Sequence, residues 1–297
     1  MDILDVLLPI FGIILIGYLL KSIGVFKEKY VKIVNDYVYY IGITVVTYLS
    51  LHDVGFEILL DPRIYVLTLL PTMIIAAIAY YAAKTMRLDR AIIPVFIICA
   101  FFGNTGYVGF PLNLIVQGEE SLPLTVLIST IYTIIVFTFG ITILKRYAKD
   151  EYVKSSSLLK LPIVWAALLG ILTFWLVLPG FIRLPLDIIA DSTSPLALLA
   201  TGAMIGGNGI FKNFKEIGVL SIIKLALMPL TVFVIAQIAG YNGMVYRTAL
   251  LEAAVPVGVT NSILAAQFGL NKEFASNAII ISTVLFGVSL SVLLLFL

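Results

Sequence analysis

Charge is scarce in this 297-residue chain. Lys, Arg, Asp and Glu make up 12% of it while 61% is hydrophobic, against about 25% charged residues in a soluble domain. A water-wetted surface cannot be built from that composition, so a soluble globular fold is excluded and an all-α polytopic membrane protein in the lipid bilayer is expected. Cysteine occurs once, as Cys99 within an apolar run, which rules out a disulfide framework. Histidine also occurs once, as His52 beside Asp53, and is expected as an interfacial residue at the outer end of a helix. There is no HExxH zinc sequence and no pair of aspartates set in helix cores. An intramembrane enzyme therefore has no catalytic constellation here, and neither a cofactor nor a firm metal site is expected. The formal charge of +2 is too small to suggest a nucleic-acid partner. The first residues, Met1-Asp2-Ile3-Leu4-Asp5, are acidic where a signal peptide is basic, and no small-residue cleavage site follows. The first apolar segment is therefore expected to stay as a span.

Apolar runs, by contrast, fill the chain. Ten approach the length of about 20 residues that a membrane helix needs: Ile3 to Leu20, Val31 to Leu51, Ile64 to Ala83, Ala91 to Val116, Leu122 to Leu144, Pro162 to Leu178, Asp187 to Ile205, Ile217 to Ala239, Val245 to Phe268 and Ala275 to Leu297. Basic residues test that count, because short cytoplasmic loops carry the Lys and Arg excess. Loops 1, 3, 5, 7 and 9 hold fifteen of them, from Lys21 to Lys272, whereas the opposite side holds Arg63, Arg183 and Arg247. The asymmetry predicts a multi-pass protein of the cell membrane with both termini extracytoplasmic. Residues 145–161 form a charged, Ser-containing cytoplasmic linker between two five-helix halves, 1–144 and 162–297. With an odd number of helices per half, halves of like sequence sit in opposite orientations, so an inverted repeat is expected. Pro71 then corresponds to Pro229, and Ser129-Thr130 to Ser282-Thr283.

The fourth segment of each half is interrupted by polar and helix-breaking residues: Gly103-Asn104-Thr105-Gly106-Tyr107-Val108-Gly109-Phe110-Pro111, and Val255-Pro256-Val257-Gly258-Val259-Thr260-Asn261. An unwound stretch at membrane depth survives only where protein buries it or a wet cavity borders it. Matched interruptions in two halves point to a secondary carrier's binding site. A helix restarting in mid-membrane presents free N–H groups and the positive end of its dipole, which favours an anion. Asn104 can donate and accept; Gly106 and Gly109 allow close backbone approach; Pro111 and Pro256 remove a donor and disrupt the preceding turn. Substrate contacts are expected from Asn104, Thr105, Gly106, Gly109, Pro111, Tyr132, Pro256, Val257 and Asn261. Asn113, Gln117, Gln267, Ser129, Thr130, Ser282 and Thr283 are weaker candidates.

The run Asn104-Thr105-Gly106-Tyr107-Val108-Gly109-Phe110-Pro111-Leu112 resembles the fourth-helix motif of the auxin efflux carrier family, and Ala253-Ala254-Val255-Pro256-Val257-Gly258-Val259 with Ala278-Ile279-Ile280-Ile281-Ser282 is similar to its ninth and tenth helices. The short linker is unlike that of the plant carriers and like that of compact prokaryotic members. The resemblance implies a homodimer related to the bile-acid symporters, with a scaffold of helices 1, 2, 6 and 7. Helices 3 to 5 and 8 to 10 would form a moving transport domain, with helices 4 and 9 crossing at their breaks beside the substrate. It also implies elevator-like alternating access.

Ionisable residues inside a membrane are functional candidates by default. Asp36 and Asp191 lie close to helix ends and are expected to be solvated. Lys224 has a stem long enough to reach back to the interface. Glu252, one turn before Pro256, cannot. It is expected to couple transport to an ion, with Lys224, carrying a proton if desolvated or ligating a hard cation if ionised; the alternative is a structural partnership with Lys224 or a polar group of helix 4. In the related bile-acid symporters an acidic residue of the ninth helix takes part in sodium binding, so the resemblance makes sodium at Glu252 possible. The reading is a carrier of small organic anions, auxin-like or dicarboxylic acids among them. A channel-like anion facilitator and a membrane receptor are the alternatives.

Overall fold

In lipid a chain satisfies its backbone by folding into helices or a closed barrel, and this chain takes the first course. The computed structural model describes residues 3–54, 56–148, 161–205 and 213–295; of the expected linker, residues 149–160 lie outside them. The α-helices are α1 (Ile3–Ser22), α2 (Glu28–Tyr37), α3 (Ile43–Val54), α4 (Pro62–Thr85), α5 (Ile93–Phe101), α6 (Phe110–Gln117), α7 (Leu122–Ile135), α8 (Ile141–Tyr147), α9 (Pro162–Leu172), α10 (Gly180–Met204), α11 (Phe214–Ile222), α12 (Met228–Ala239), α13 (Gly243–Ala254), α14 (Thr260–Gln267) and α15 (Lys272–Leu294). There is no strand among the described residues. Wide π-helical turns join α2 to α3 (Val38–Gly42), α7 to α8 (Val136–Gly140) and α11 to α12 (Ile223–Leu227), and a fourth, Thr105–Gly109, leads into α6.

Among the described residues, five helices are long and apolar enough to cross a membrane: Leu4–Ser22, Pro62–Thr85, Glu119–Tyr147, Phe214–Ala239 and Lys272–Leu294. They fall on the first, third, fifth, eighth and tenth expected segments. The sixth, expected to Leu178, is helical only to Leu172. Pro179 disfavours the helical conformation at Leu178, and Thr173 turns the chain out while its hydroxyl bonds the Leu169 carbonyl at 2.6 Å. The seventh begins at Gly180, not Asp187, because the Pro179 carbonyl accepts the first amides of α10, from Ile182 and Arg183.

One compact unit comprises Met1–Pro62, Gly106–Thr130 and Leu159–Gly206. Its helices approach through glycines, as small residues allow in membranes. A Cβ added at Gly202 of α10 would stand 1.8 Å from the Ile14 carbonyl oxygen of α1, and one at Gly17 would stand 2.1 Å from that of Leu199. Beyond the expected end of the second span, Arg183 donates through Nη1 and Nη2 to the two carboxylate oxygens of Asp53 at 2.7 and 2.8 Å, and through Nε to Asp187 at 2.8 Å. Partial burial alone would raise the Asp53 carboxyl, yet the bonds from Arg183, helped by His52, hold it below its ordinary value. His52, near the end of α3, is buried, with Nδ1 3.2 Å from Asp53 Oδ1.

The second unit comprises Arg63–Thr105, Ile131–Leu158 and Gly207–Leu297. At its centre every residue of α5 is buried, as a helix apolar on all sides requires, and Phe96 packs on Phe274 with ring centres 6.2 Å apart. Asn271 fixes the start of α15 by accepting the Phe274 amide at 2.9 Å.

Candidate functional site

Two non-helical stretches meet inside the second unit. After α5 the chain extends at Phe102, with φ −93° and ψ 106°, and Gly103 and Asn104 follow before helical turns resume at Thr105. After α13, Val255 is driven out of the helix by the proline that follows it, to φ −60° and ψ 152°; helix resumes at Thr260. The interruptions are shorter than the sequence motifs. Thr105–Gly109 is a π-helical turn, and Thr260 and Asn261 lie in the first turn of α14.

The stretches run antiparallel, with an isolated bridge between Gly103 and Val257. The Asn104 amide donates to the Pro256 carbonyl at 2.7 Å, and the Gly258 amide to the Phe102 carbonyl at 3.1 Å. Asn261 Nδ2 also donates to the Phe102 carbonyl at 2.9 Å, and the Val257 amide to Ser282 Oγ at 3.1 Å. Groups freed by each break thus bond the other break or a neighbouring helix. Such closeness needs glycine: a Cβ at Gly258 would stand 2.6 Å from the Gly103 carbonyl oxygen.

Two polar atoms are left over. Asn104 Nδ2 and Asn261 Oδ1 are buried with no hydrogen-bond partner among the described residues, although Asn104 is 4% exposed and Asn261 fully buried. A buried donor or acceptor left unsatisfied costs about 1–3 kcal/mol. The first lacks an acceptor and the second a donor.

Beside the crossing lie two ionisable residues, each 1% exposed: Lys224 and Glu252. Lys224 projects from the π-helical turn Ile223–Leu227, and its Nζ donates to the Ala253 carbonyl at 2.7 Å. The stem does not reach back to an interface. Glu252 lies within electrostatic range of Lys224 and of Tyr132, and Tyr132 is itself buried.

Asn104, Pro256, Val257 and Asn261 are therefore gathered in one place, with Lys224, Glu252 and Tyr132 in the same unit. Thr105 ends a segment of that unit. Gly106, Gly109 and Pro111 belong to the other unit. There a Cβ at Gly106 would meet Ile43 Cδ1 at 2.8 Å, Gly109 accepts from Asn113 Nδ2 at 3.0 Å, and Pro111 sits in the first turn of α6, where its missing amide proton is harmless. Sequence reasoning missed Phe102, whose carbonyl takes two bonds, and Ala253, the acceptor for Lys224. Both act through their backbone, so residue type gave no signal beyond their position next to each break.

The family described as membrane transport protein matches residues 2–294. An uncharacterised transporter of Methanocaldococcus jannaschii is 26% identical over 293 residues, covering 94% of each chain. The uncharacterised transporter YfdV of Escherichia coli is 25% identical over 302 residues, covering 95% of this chain and 94% of its own. A Rhizobium meliloti protein named "Putative malonate transporter" is 22% identical over 297 residues, covering 96% of this chain and 92% of its own.

Proposed function

Because the chain belongs to the membrane transport protein family, the family of the auxin efflux carriers, we propose that it is a secondary carrier of small organic anions that binds a carboxylate at the crossing of the two breaks. The observation that carries the reading is the pair of unsatisfied groups there. Asn104 Nδ2 is a donor without an acceptor among the described residues, and a carboxylate supplies acceptors only. The relative named for malonate, a dicarboxylate, supports an organic acid as cargo. Lys224, buried nearby, favours an anion over a cation when it is protonated.

On this reading ten spans form two inverted five-helix repeats with both termini outside, the breaks belong to the fourth and ninth spans, and Glu252 with Lys224 couples the site to an ion. Spans 1, 2, 6 and 7 form the scaffold and spans 3 to 5 and 8 to 10 the moving part of an elevator, although Gly106–Thr130 of spans 4 and 5 group with the first unit, and the protein works as a homodimer. Purified protein in liposomes tests the function: saturable counterflow of a labelled dicarboxylate is expected, and unitary currents in its place would reject a carrier. Glu252→Gln is expected to change the dependence of uptake on pH; an unaltered dependence removes Glu252 from coupling.

A further inference from the structure

A helix that ends inside a protein leaves its last carbonyls without intrahelical partners and carries the negative end of its dipole there. In secondary carriers such half-helix ends, with unwound carbonyls, coordinate the driving cation. The place where sodium would be sought in this chain is accordingly the end of α13, where Glu252, Ala253 and Ala254 precede the break. Sodium requires several oxygen atoms free to turn toward it, as hard cations do.

Those residues do not fit a free sodium ion, because a cation is already built in. Lys224 Nζ bonds the Ala253 carbonyl at 2.7 Å. The ammonium is held from several directions. Its stem rises from the π-helical turn, which places it against α13. Gly103 of the other break packs on it so closely that an added Cβ would stand 3.0 Å from Nζ and 3.1 Å from Cε. Glu252, next in sequence to the accepting residue, supplies the opposite charge that a buried cation needs. One side chain therefore serves the dipole end, the carboxylate and the packing of the crossing together.

We propose that Lys224 is a resident cation: its ammonium occupies the position of a diffusible sodium ion, and the protein neither binds nor requires sodium. The word "requires" rests on the carrier reading above; occupancy of the site does not. A covalently attached amine cannot diffuse away, so it holds that position whatever the salt outside.

Thermal unfolding of the purified protein, with sodium replaced by choline at constant ionic strength, tests the proposal without any transport step. The wild-type melting temperature is expected to be the same in both salts. A saturable rise with sodium overturns the proposal, and this needs no variant. Lys224→Ala is expected to melt lower in choline and to recover by roughly 3 °C or more in sodium or in ethylammonium, each of which can enter the vacated position. Lys224→Arg, which keeps the charge, is expected to show no sodium response. A folded Lys224→Ala that sodium and ethylammonium leave unchanged overturns the assignment. Failure here leaves anion counterflow untouched, whereas absent counterflow with the expected salt behaviour strikes the carrier reading alone.

Discussion

Gly258→Ala places one methyl group where the two breaks touch. Its Cβ would stand 2.6 Å from the Gly103 carbonyl oxygen and 3.0 Å from its carbon. Ordinary contact begins at 3.4 Å, so the segments must part by roughly 0.8 Å. Backbone is in the way on both sides, and no side chain can rotate to absorb the shift. The displacement falls on the Gly258-to-Phe102 and Asn104-to-Pro256 bonds, at 3.1 and 2.7 Å. Overpacking costs about 1–3 kcal/mol and each strained hydrogen bond about 0.5–1.5 kcal/mol. Taking about 3 kcal/mol in all, the melting temperature falls by roughly 6–12 °C. Gly218→Ala is the control: it lies in α11 with nothing within 4 Å of the added atom, and replacing a helical glycine by alanine is favourable by about 0.5–1 kcal/mol. Thermal unfolding of both purified variants decides the matter. If Gly258→Ala melts with the control, the two segments do not cross as closely as described, and the geometry of the site fails with them.

Three further outcomes follow from other parts of the molecule. Asn104→Ala removes a donor that has no partner among the described residues, so the melting temperature is expected to hold or rise, while affinity for a transported dicarboxylate, read by calorimetry, drops by about tenfold or more, near 1.4 kcal/mol; unchanged affinity removes Asn104 from the site. Gly202→Leu drives a side chain into the Ile14 backbone and is expected to abolish the monodisperse peak in size-exclusion chromatography, which Gly12→Leu, with open space around it, preserves. Asp53 has a depressed carboxyl pKa in the folded protein, so its contribution is present above the ordinary value of 3.8 and lost as pH falls through the folded-state value. Because the pair with Arg183 is partly exposed and screened, the contribution is under about 1 kcal/mol. Melting curves should show wild type above Asp53→Asn near neutral pH, with the gap closing in acid; a constant gap would contradict the pairing.

Much of the architecture can be read from residue types because lipid imposes length and apolarity directly. The helical class and, among the described residues, the five long apolar helices declare themselves in this way, whereas the family shows in the motifs at the two interruptions. The position of each interruption is equally plain, since Gly103 and Pro256 act locally on their own backbone. The partners of the interruptions are another matter. Lys224 bonds a carbonyl 29 residues away, and Arg183 grips Asp53 across 130 residues; neither spacing matches a helical period, so only the fold reveals them. The end of α9 at Leu172 was also hidden, because Phe174-Trp175-Leu176-Val177-Leu178 continues the apolar run without a polar mark. Of the candidate site, the residues that act through side chains were foreseeable and those that act through carbonyls were not.

The π-helical turns bear on how such chains can be compared. Each holds one residue more than a regular turn would, and in an α-helix one residue is worth about 100° of rotation. The sequence of a span that contains such a turn therefore has two phases: the face that α11 presents does not continue as the face of α12 beyond Ile223–Leu227. Deleting one residue there would restore a single phase, carrying Lys224 or all of α12 around the helix by more than a quarter turn. Relatives that lack the extra residue should therefore align with a one-residue gap at this turn, and where that gap occurs, the lysine's place at the crossing should have been lost with it.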